Sequence, residues 1–533
     1  MTTAELPATP AAPIAPTCSR WRRALIALAI ITGLALLWAV AAFAYTIWLR
    51  MEGALPPLTQ LTFEELWMTR LRYPTALCLI AIIGPFLIGC AQRFNDRVDA
   101  SRAAAEQARV EKHAADTEAA RQAAAQAKHR FAAQVVGLQW LNPLQRRDYP
   151  TEWQVLWTLG LAKPNADDDV LPKKPQKYST VQSIGPIAYN MFGKQTFTGY
   201  YQAYVDTILE KIWEPYFADK NYFYSVARGR SPRREVGDMR VELVLPPSLS
   251  PAESAAFVRK KMNLYFGLND PEFSSTLKPP TVRVHAGGPE AGLAALSAAL
   301  DYLEENPERT VWVMAFDAPS FPKDAQLNET GVLLVLAHSD YVTGREPLAF
   351  VHRESRVPVA PGSGTPAPRV TAAWQAAFAD AAERGNLPAA KIGYVIHDAG
   401  QGSEAASERV GALAQAMTTS LPDLDFLKQG FNTGTVLGEL NAGSVPTSLV
   451  LSIAYAHHRN TPVLVAATRE TNALPGDTRA PAASAILIRP PAHPTPFDPK
   501  KNWFRARGEG TAHLPWWSRR HDAPADRMQG WSD

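Results

Sequence analysis

The feature that most constrains this chain of 533 residues is an uncharged apolar run from Ala24 to Leu49, set directly behind Arg20, Arg22 and Arg23. At about 1.5 Å per residue, a helix over that run is long enough to cross a hydrocarbon core of about 30 Å. In lipid the backbone must satisfy its own polar groups, so a helix is the form such a run takes. A second uncharged run, from about Tyr73 to Cys90, is just long enough to do the same. Pro85 inside it is tolerable where neighbouring helices satisfy the freed carbonyl. Trp48, Trp67 and Tyr73 stand where interfacial aromatics are expected. The alternative for the first run is a cleaved signal peptide, because Ala42-Phe43-Ala44 resembles a cleavage site. Signal cores are usually shorter, about 7–15 residues, and a second span does not normally follow so soon.

Orientation follows the Lys and Arg near the span ends. Three arginines precede the first run, and Arg93, Arg97, Arg102, Arg109 and Lys112 follow the second. Between the runs stand Arg70 and Arg72, with Arg50 at the border. The bias places both termini in the cytoplasm. Residues 92–135 are rich in Ala, Gln, Arg and Glu and hold no Pro, and Gly is absent too. That composition favours helix, so the second span is expected to continue as a stalk. Its apolar positions are mostly alanines, which suits a solvated spacer better than a dimerising coiled coil.

A chain this long exceeds one ordinary core. Its formal charge of +3, from 54 Lys+Arg against 51 Asp+Glu, is spread along the sequence and leaves no concentrated basic face for nucleic acid. The three cysteines, Cys18, Cys78 and Cys90, all precede the soluble part, so no disulfide scaffold is available and no thiol follows Cys90. The dense segments Gln139–Pro143 and Trp153–Trp157 read as the opening of a soluble domain near Val135. Arg228, Arg230, Arg233 and Arg234 form a basic turn, either solvated or a docking patch for an acidic partner. Residues 357–369 are Pro/Gly-rich and read as a linker or long loop. The tail, with Trp516 and Trp517 among arginines, reads as a partner-binding arm or as a segment wrapped back onto the domain.

Two stretches share one layout. In the first, His285-Ala-Gly-Gly-Pro leads into an apolar helix from Ala291 to Leu303, then a strand over 310–316, a loop, and a strand over 331–337. In the second, Asn432-Thr-Gly precedes a helix from about Val445 to His457, then strands over 462–467 and 485–488. Val463 follows Val311 by 152 residues. Strands apolar on both faces and joined through helices imply a covered sheet, and two copies imply a pseudo-twofold α/β duplication.

This layout is similar to the thiolase and ketoacyl-synthase fold. Gly287–Leu296 resembles the segment in which condensing enzymes place a nucleophilic cysteine at a helix start, and Pro289 stands near that position. Tyr394–Gly402 resembles the strand and glycine turn of the first catalytic histidine. Matching Gly400 and Gly402 puts Ala399 there, with His397 out of register. Asn432-Thr-Gly-Thr resembles the turn of the second histidine, and Thr435 stands in its place. The resemblance implies a thiolate and two imidazoles for acyl transfer. None of those groups is present at the matched positions, so Gly287, Pro289, Ala399, Gly400, Gly402, Asn432 and Thr435 are expected to mark a vestigial cleft.

The two apolar runs, the phrase GGPEAGLAALSAALDYLEENPERTVWVMAFDAP and the phrase FNTGTVLGELNAGSVPTSLVLSIAYAHHRNTPVLVA together resemble the type VI secretion lipase adapter family. The resemblance implies a bacterial protein that binds a secreted effector, a lipase, and assists its loading onto the secretion spike; the inner-membrane placement is expected from the apolar runs and their charge bias. With the three catalytic positions unmatched, no catalysis, cofactor or metal is expected, and a homodimer is left open. The expected organisation is a cytoplasmic tail 1–23, a span 24–49, a periplasmic loop 50–72, a span 73–91 and a stalk 92–135. A thiolase-like N-terminal half 136–385, a C-terminal half 386–495 and a Trp/Arg-rich tail 496–533 complete it. The alternatives are an enzyme of altered acyl chemistry acting through Asp398, Glu439 or Ser444, and a structural component dimerising through the stalk. No Gly-x-Ser-x-Gly elbow or P-loop occurs. His457-His458 reads as a helix-end surface pair rather than a metal site, since adjacent helical residues point apart.

Overall fold

In the computed structural model the described residues are 20–51, 72–144, 151–162, 197–218, 239–267, 280–318, 327–342, 346–362, 366–471, 480–494 and 516–517. They fall in two compact units, Met1–Arg121 and Gln122–Asp533. In the first, helix α1 (Arg20–Met51) carries the apolar stretch Ile31–Trp48, none of it buried. Among the described residues, α1 is the one helix long and apolar enough to cross a membrane.

Helix α2 (Arg72–Arg130) runs 59 residues and takes in both the second apolar run and the Ala-rich segment without a break. It stops at Arg130, and strand β1 (Ala132–Leu141) starts at once, so the stalk expected to reach 135 ends five residues earlier. Phe131 is the joint. Its ring lies 5.4 Å from the Arg353 guanidinium and 5.2 Å from the His338 ring, which turns the chain into the sheet. In the last helical turn, His129 Nε2 sits 2.8 Å from Asp380 Oδ1.

In the second unit the chain continues through α3 (Thr151–Thr158), α4 (Phe197–Ala218), β2 (Arg240–Leu245), α5 (Pro251–Phe266), β3 (Thr281–Ala286) and α6 (Glu290–Glu305). Strands β4 (Thr310–Asp317), β5 (Thr330–His338), β6 (Ala349–His352) and β7 (Ser355–Pro358) follow, then α7 (Ala367–Arg384), β8 (Tyr394–His397) and α8 (Glu404–Ser420). Last come β9 (Gly430–Asn432), α9 (Thr433–Val436), α10 (Ser444–Arg459), β10 (Val463–Ala467), β11 (Ala482–Arg489) and β12 (Trp516–Trp517).

The strand order β3-β2-β4-β5-β1-β6-β11-β10-β8-β9 reads as one pattern written twice about its centre. In the first half β2 lies parallel to β3 and β4, β4 is antiparallel to β5, and β5 to β1. In the second, β8 lies parallel to β9 and β10, β10 is antiparallel to β11, and β11 to both β6 and β7. Strands β1 and β6 meet antiparallel at the centre, pairing Ala132 with His352 and Val135 with Ala349.

The second copy therefore begins at β6, and the boundary expected at 385/386 moves back to about 348. Strands β6 and β7 have four residues each, too short to register in a comparison of spacings. The expected linker 357–369 shrinks for the same reason: Val357 and Pro358 belong to β7, and α7 starts at Ala367.

Strand residues alternate between two apolar faces. Val311, Val313 and Ala315 of β4 point into a core shared by both halves, where α6 and α10 lie together. Trp312, Met314 and Phe316 point the other way, against α4 and α5. In the second half Val395, Leu464, Ala485 and Leu487 pack against α7 and α8. The two central helices approach closely at Gly292, where a Cβ would stand 2.7 Å from Pro446 Cδ and 3.1 Å from Val445 Cβ. Only glycine fits there.

Candidate functional site

The parallel strands β8, β9 and β10 end together, and the N-terminus of α10 points at the same place. Beyond β8 the chain reaches Asp398, Ala399 and then Gly400, whose φ of 75° suits glycine. Asn432 closes β9 and caps α9. Its Oδ1 accepts from Gly400 N (3.1 Å) and Thr435 N (3.3 Å), while its Nδ2 donates to the Gly400 carbonyl (2.9 Å). Thr433 Oγ1 donates to the His397 carbonyl, and Arg409 donates twice to the Ala399 carbonyl, at 3.1 and 2.8 Å. Gly402 leads into Ser403, whose hydroxyl caps α8 by accepting from Ala406 N. Four of the seven expected cleft positions, Ala399, Gly400, Asn432 and Thr435, thus come together.

Gly287 and Pro289 are placed differently. Gly287 N donates to the Leu245 carbonyl, extending the β2–β3 ladder. Gly288 N donates to Glu290 Oε1 at 2.8 Å, so the acid side chain folds back over the glycine pair. Pro289 is the N-cap of α6 and offers no side-chain bond. What joins this corner to the other cleft positions is packing, through Gly292 against the first turn of α10.

Two buried carboxylates hold the start of α10. Asp398, 3% exposed, accepts at Oδ1 from Thr468 N and Thr468 Oγ1, both 2.7 Å, and at Oδ2 from Ser444 Oγ at 2.7 Å. Asp317, at the end of β4 in the other half, accepts at Oδ2 from Asn441 N (2.5 Å) and Gly443 N (3.1 Å). Burial pushes the Asp317 carboxyl above its usual range, opposed by the bonds from Gly443 and Asn441. Beside it, Thr330 Oγ1 accepts from Trp140 Nε1 and shares a hydrogen bond with Thr447 Oγ1. The two acids thus tie down the turn that leads into α10, Asp317 through the Asn441 and Gly443 amides and Asp398 through the Ser444 hydroxyl.

Of the residues considered for altered acyl chemistry, Asp398 and Ser444 are bonded to each other. Glu439 is not part of that pair and instead meets Arg469 Nη2 at 2.9 Å. Ser444 is 2% exposed, and its hydroxyl donates to a carboxylate rather than to an imidazole. His397, 3% exposed, stacks on Phe426 at 5.5 Å. Burial pushes its imidazole from 6.5 down to about 4, with Asp398 opposing only in part. Among the described residues no group of three or more His, Cys, Asp or Glu is placed to hold a metal ion.

The expectation of a surface histidine pair on α10 is overturned. His457 is 1% exposed with Nδ1 at 2.8 Å from the Leu348 carbonyl, and the His458 ring lies 3.1 Å from Glu152 of α3. Helix α10 is central, and α3 covers its last turns. Asp317, Thr468, Arg409 and Arg469 were not foreseen. An acid directly ending the apolar strand VWVMAFD was the one available signal for Asp317. Arg228, Arg230, Arg233 and Arg234 lie outside the described residues. Trp516 and Trp517 form β12, and their backbone pairs with Leu138 and Gly137 of β1.

Among solved structures, the chain is similar to the ishigamide ketosynthase/chain length factor, at 16% identity over 67% of this chain and 99% of that one, with TM-score 0.39. It is similar to the ketosynthase from module 6 of the bacillaene synthase of Bacillus subtilis 168, at 13% identity, 68% and 72% coverage and TM-score 0.42. It is also similar to the oxazolomycin ketosynthase domain KS8 of Streptomyces albus JA3453, at 12% identity, 70% and 98% coverage and TM-score 0.40. No curated protein matches it. Residues 348–475, which begin where the second copy of the repeat begins, match the family described as type VI lipase adapter protein Tla3, C-terminal.

Proposed function

We propose that this chain is a membrane-anchored adapter without catalytic activity, which binds a secreted lipase effector and assists its loading onto a type VI secretion spike. The observation that carries the reading is the family match over 348–475. The chemistry of the cleft supports it. The matched nucleophile position holds Pro289, the matched histidine positions hold Ala399 and Thr435, and Asp317 and Asp398 are taken up in tying down the turn into α10. In this reading both apolar runs span the inner membrane, with the bulk of the chain on the cytoplasmic side. The basic turn Arg228, Arg230, Arg233 and Arg234 and the tail around Trp516 and Trp517 are the proposed docking elements. A homodimer is compatible with the duplicated fold.

The test is affinity capture of the intact protein from its native membrane in cells with an active secretion system. Recovery of a lipase effector or a spike component is expected. Recovery of neither would count decisively against the adapter role. A second reading, an enzyme acting through Ser444, has one observation in its favour, the 2.7 Å bond to Asp398. Turnover of lipid esters or acyl-CoA that disappears in Ser444→Ala would establish it in place of the first.

A further inference from the structure

Most covered arginines of the second unit are matched by an acid. Arg240 meets Glu242, Arg353 meets Asp301 and Glu304, Arg384 meets Asp380, and Arg469 meets Glu439. Arg409 donates to the Ala399 carbonyl and lies in the field of Asp398 and Glu439. Arg489, the last residue of β11, is half-buried and has no acid in contact among the described residues.

Its surroundings come from β6, β11 and the end of α7. By strand alternation Arg489 shares the α7 face of the sheet with Leu487, while Ile488 points into the core common to both halves. Phe350 and His352 flank Val351 and lie on that same α7 face. Arg489 Nε donates to His352 Nε2 at 2.8 Å, and the guanidinium lies over the Phe350 ring, 5.8 Å from its centre. Burial, then Arg489 and Arg384, hold the His352 imidazole down to about 3, opposed by the Arg384 backbone. His352 therefore offers Arg489 a lone pair but no negative charge. Asp380 is already shared, with Oδ2 accepting from Arg384 Nε at 2.7 Å and Oδ1 2.8 Å from His129 Nε2. Burial lowers the Arg489 guanidinium below its usual range, yet an arginine keeps its charge inside a protein.

A half-buried cation without a counter-ion is costly, and a ligand that brings the missing charge recovers that cost. With Nε engaged by His352, the two Nη groups remain as a planar fork that matches the two oxygens of a carboxylate. The Phe350 face beneath favours the cation and limits its orientation. Asp380 on the same side repels a second negative charge, which disfavours a dianion.

We infer that the Arg489 corner, between β6, β11 and the end of α7, is a binding site for a monoanionic carboxylate, such as a peptide C-terminus or an acidic side chain. The site belongs to the second unit and does not depend on the adapter reading.

Arginine modification of the full chain in detergent by phenylglyoxal, followed residue by residue by mass spectrometry, tests this with N-acetylglycine as the probe. Modification of Arg489 should slow about 10-fold as the probe saturates, in buffers matched in ionic strength with chloride. Arg121, exposed on α2, should keep its rate. No slowing at Arg489, or equal slowing at both arginines, would overturn the site. So would an Arg489 that the reagent never reaches. Inorganic phosphate at the same concentration should protect less, and stronger protection by phosphate would overturn the carboxylate assignment. Saturation-transfer NMR of N-acetylglycine gives a second measurement. Its signal should be lost in Arg489→Gln and partly kept in Arg489→Lys, and an unchanged signal in Arg489→Gln would overturn the proposal. If Arg489→Gln does not fold, protection in the wild-type chain decides, because an arginine that served packing alone would gain none from the probe.

Discussion

At the scale of single residues, the site is decided by carboxylates satisfied inside the protein. Asp317→Ala leaves Asn441 N and Gly443 N without their acceptor and should cost about 1–3 kcal/mol. Chemical unfolding of the soluble unit measures this, and a loss no larger than that of a surface Asp→Ala control would sink the assignment. The folded pKa of Asp317 is raised by burial, so its contribution is fully present below the ordinary 3.8 and is lost as pH rises through the folded value. Asp317→Asn should therefore flatten the stability profile on that side.

Three buried histidines act in the opposite direction. Burial holds His352 and His458 down to about 3, and His397 to about 4, against an ordinary 6.5. Their folded values lie below the unfolded one, so the stability they confer is present above 6.5 and is lost as pH falls toward 4 and 3. Each adds up to about 1.4 kcal/mol per pH unit in that window. Urea midpoints between pH 7.5 and 4.5 should fall less steeply in His397→Gln than in the parent, and an identical slope would refute this account.

At the scale of elements, the junction of α6 and α10 carries both halves. Gly292 lets the helices approach, and a larger residue would drive them apart at Pro446 and Val445. Gly292→Val should destabilise by about 1–3 kcal/mol, as overpacking of a filled core does. Thermal unfolding reads the effect, and a variant as stable as the parent would show that the helices shift freely. Trp312 of β4, 0% exposed and packed edge-on to Phe266 at 5.9 Å, anchors the opposite face. Its replacement by Ala should cost about 3–5 kcal/mol, measured the same way.

At the scale of the whole molecule, the two units make separate demands. Helix α1 leaves Ile31, Leu36, Leu37 and Phe43 exposed, an apolar surface that lipid would cover. The full chain should stay with the membrane fraction through alkaline carbonate washing. A chain beginning at residue 92 should purify without detergent and unfold at the parent's urea concentration. Release of the full chain by carbonate would refute anchoring, and aggregation of the shortened chain would show that the second unit depends on the first.

What the sequence determined by itself was local and periodic. The apolar runs, the alanine-rich helix, and the strand and helix spacing around 290–337 and 432–488 all follow from patterns a few residues long. Those patterns singled out Ala399, Gly400, Asn432 and Thr435, which the structure brings together beyond β8 and β9, because a glycine turn and an Asn cap are local devices. The tertiary structure decided the rest. That Asp317 and Asp398, from different halves, converge on one helix start depends on which strands become neighbours, and spacing does not encode that. The burial of His457 and His458 depends on α3 lying over α10, and the start of the second copy at β6 depends on strands too short to leave a period. The pairing of Trp516 and Trp517 with β1 joins residues far apart in the chain, which no local pattern specifies.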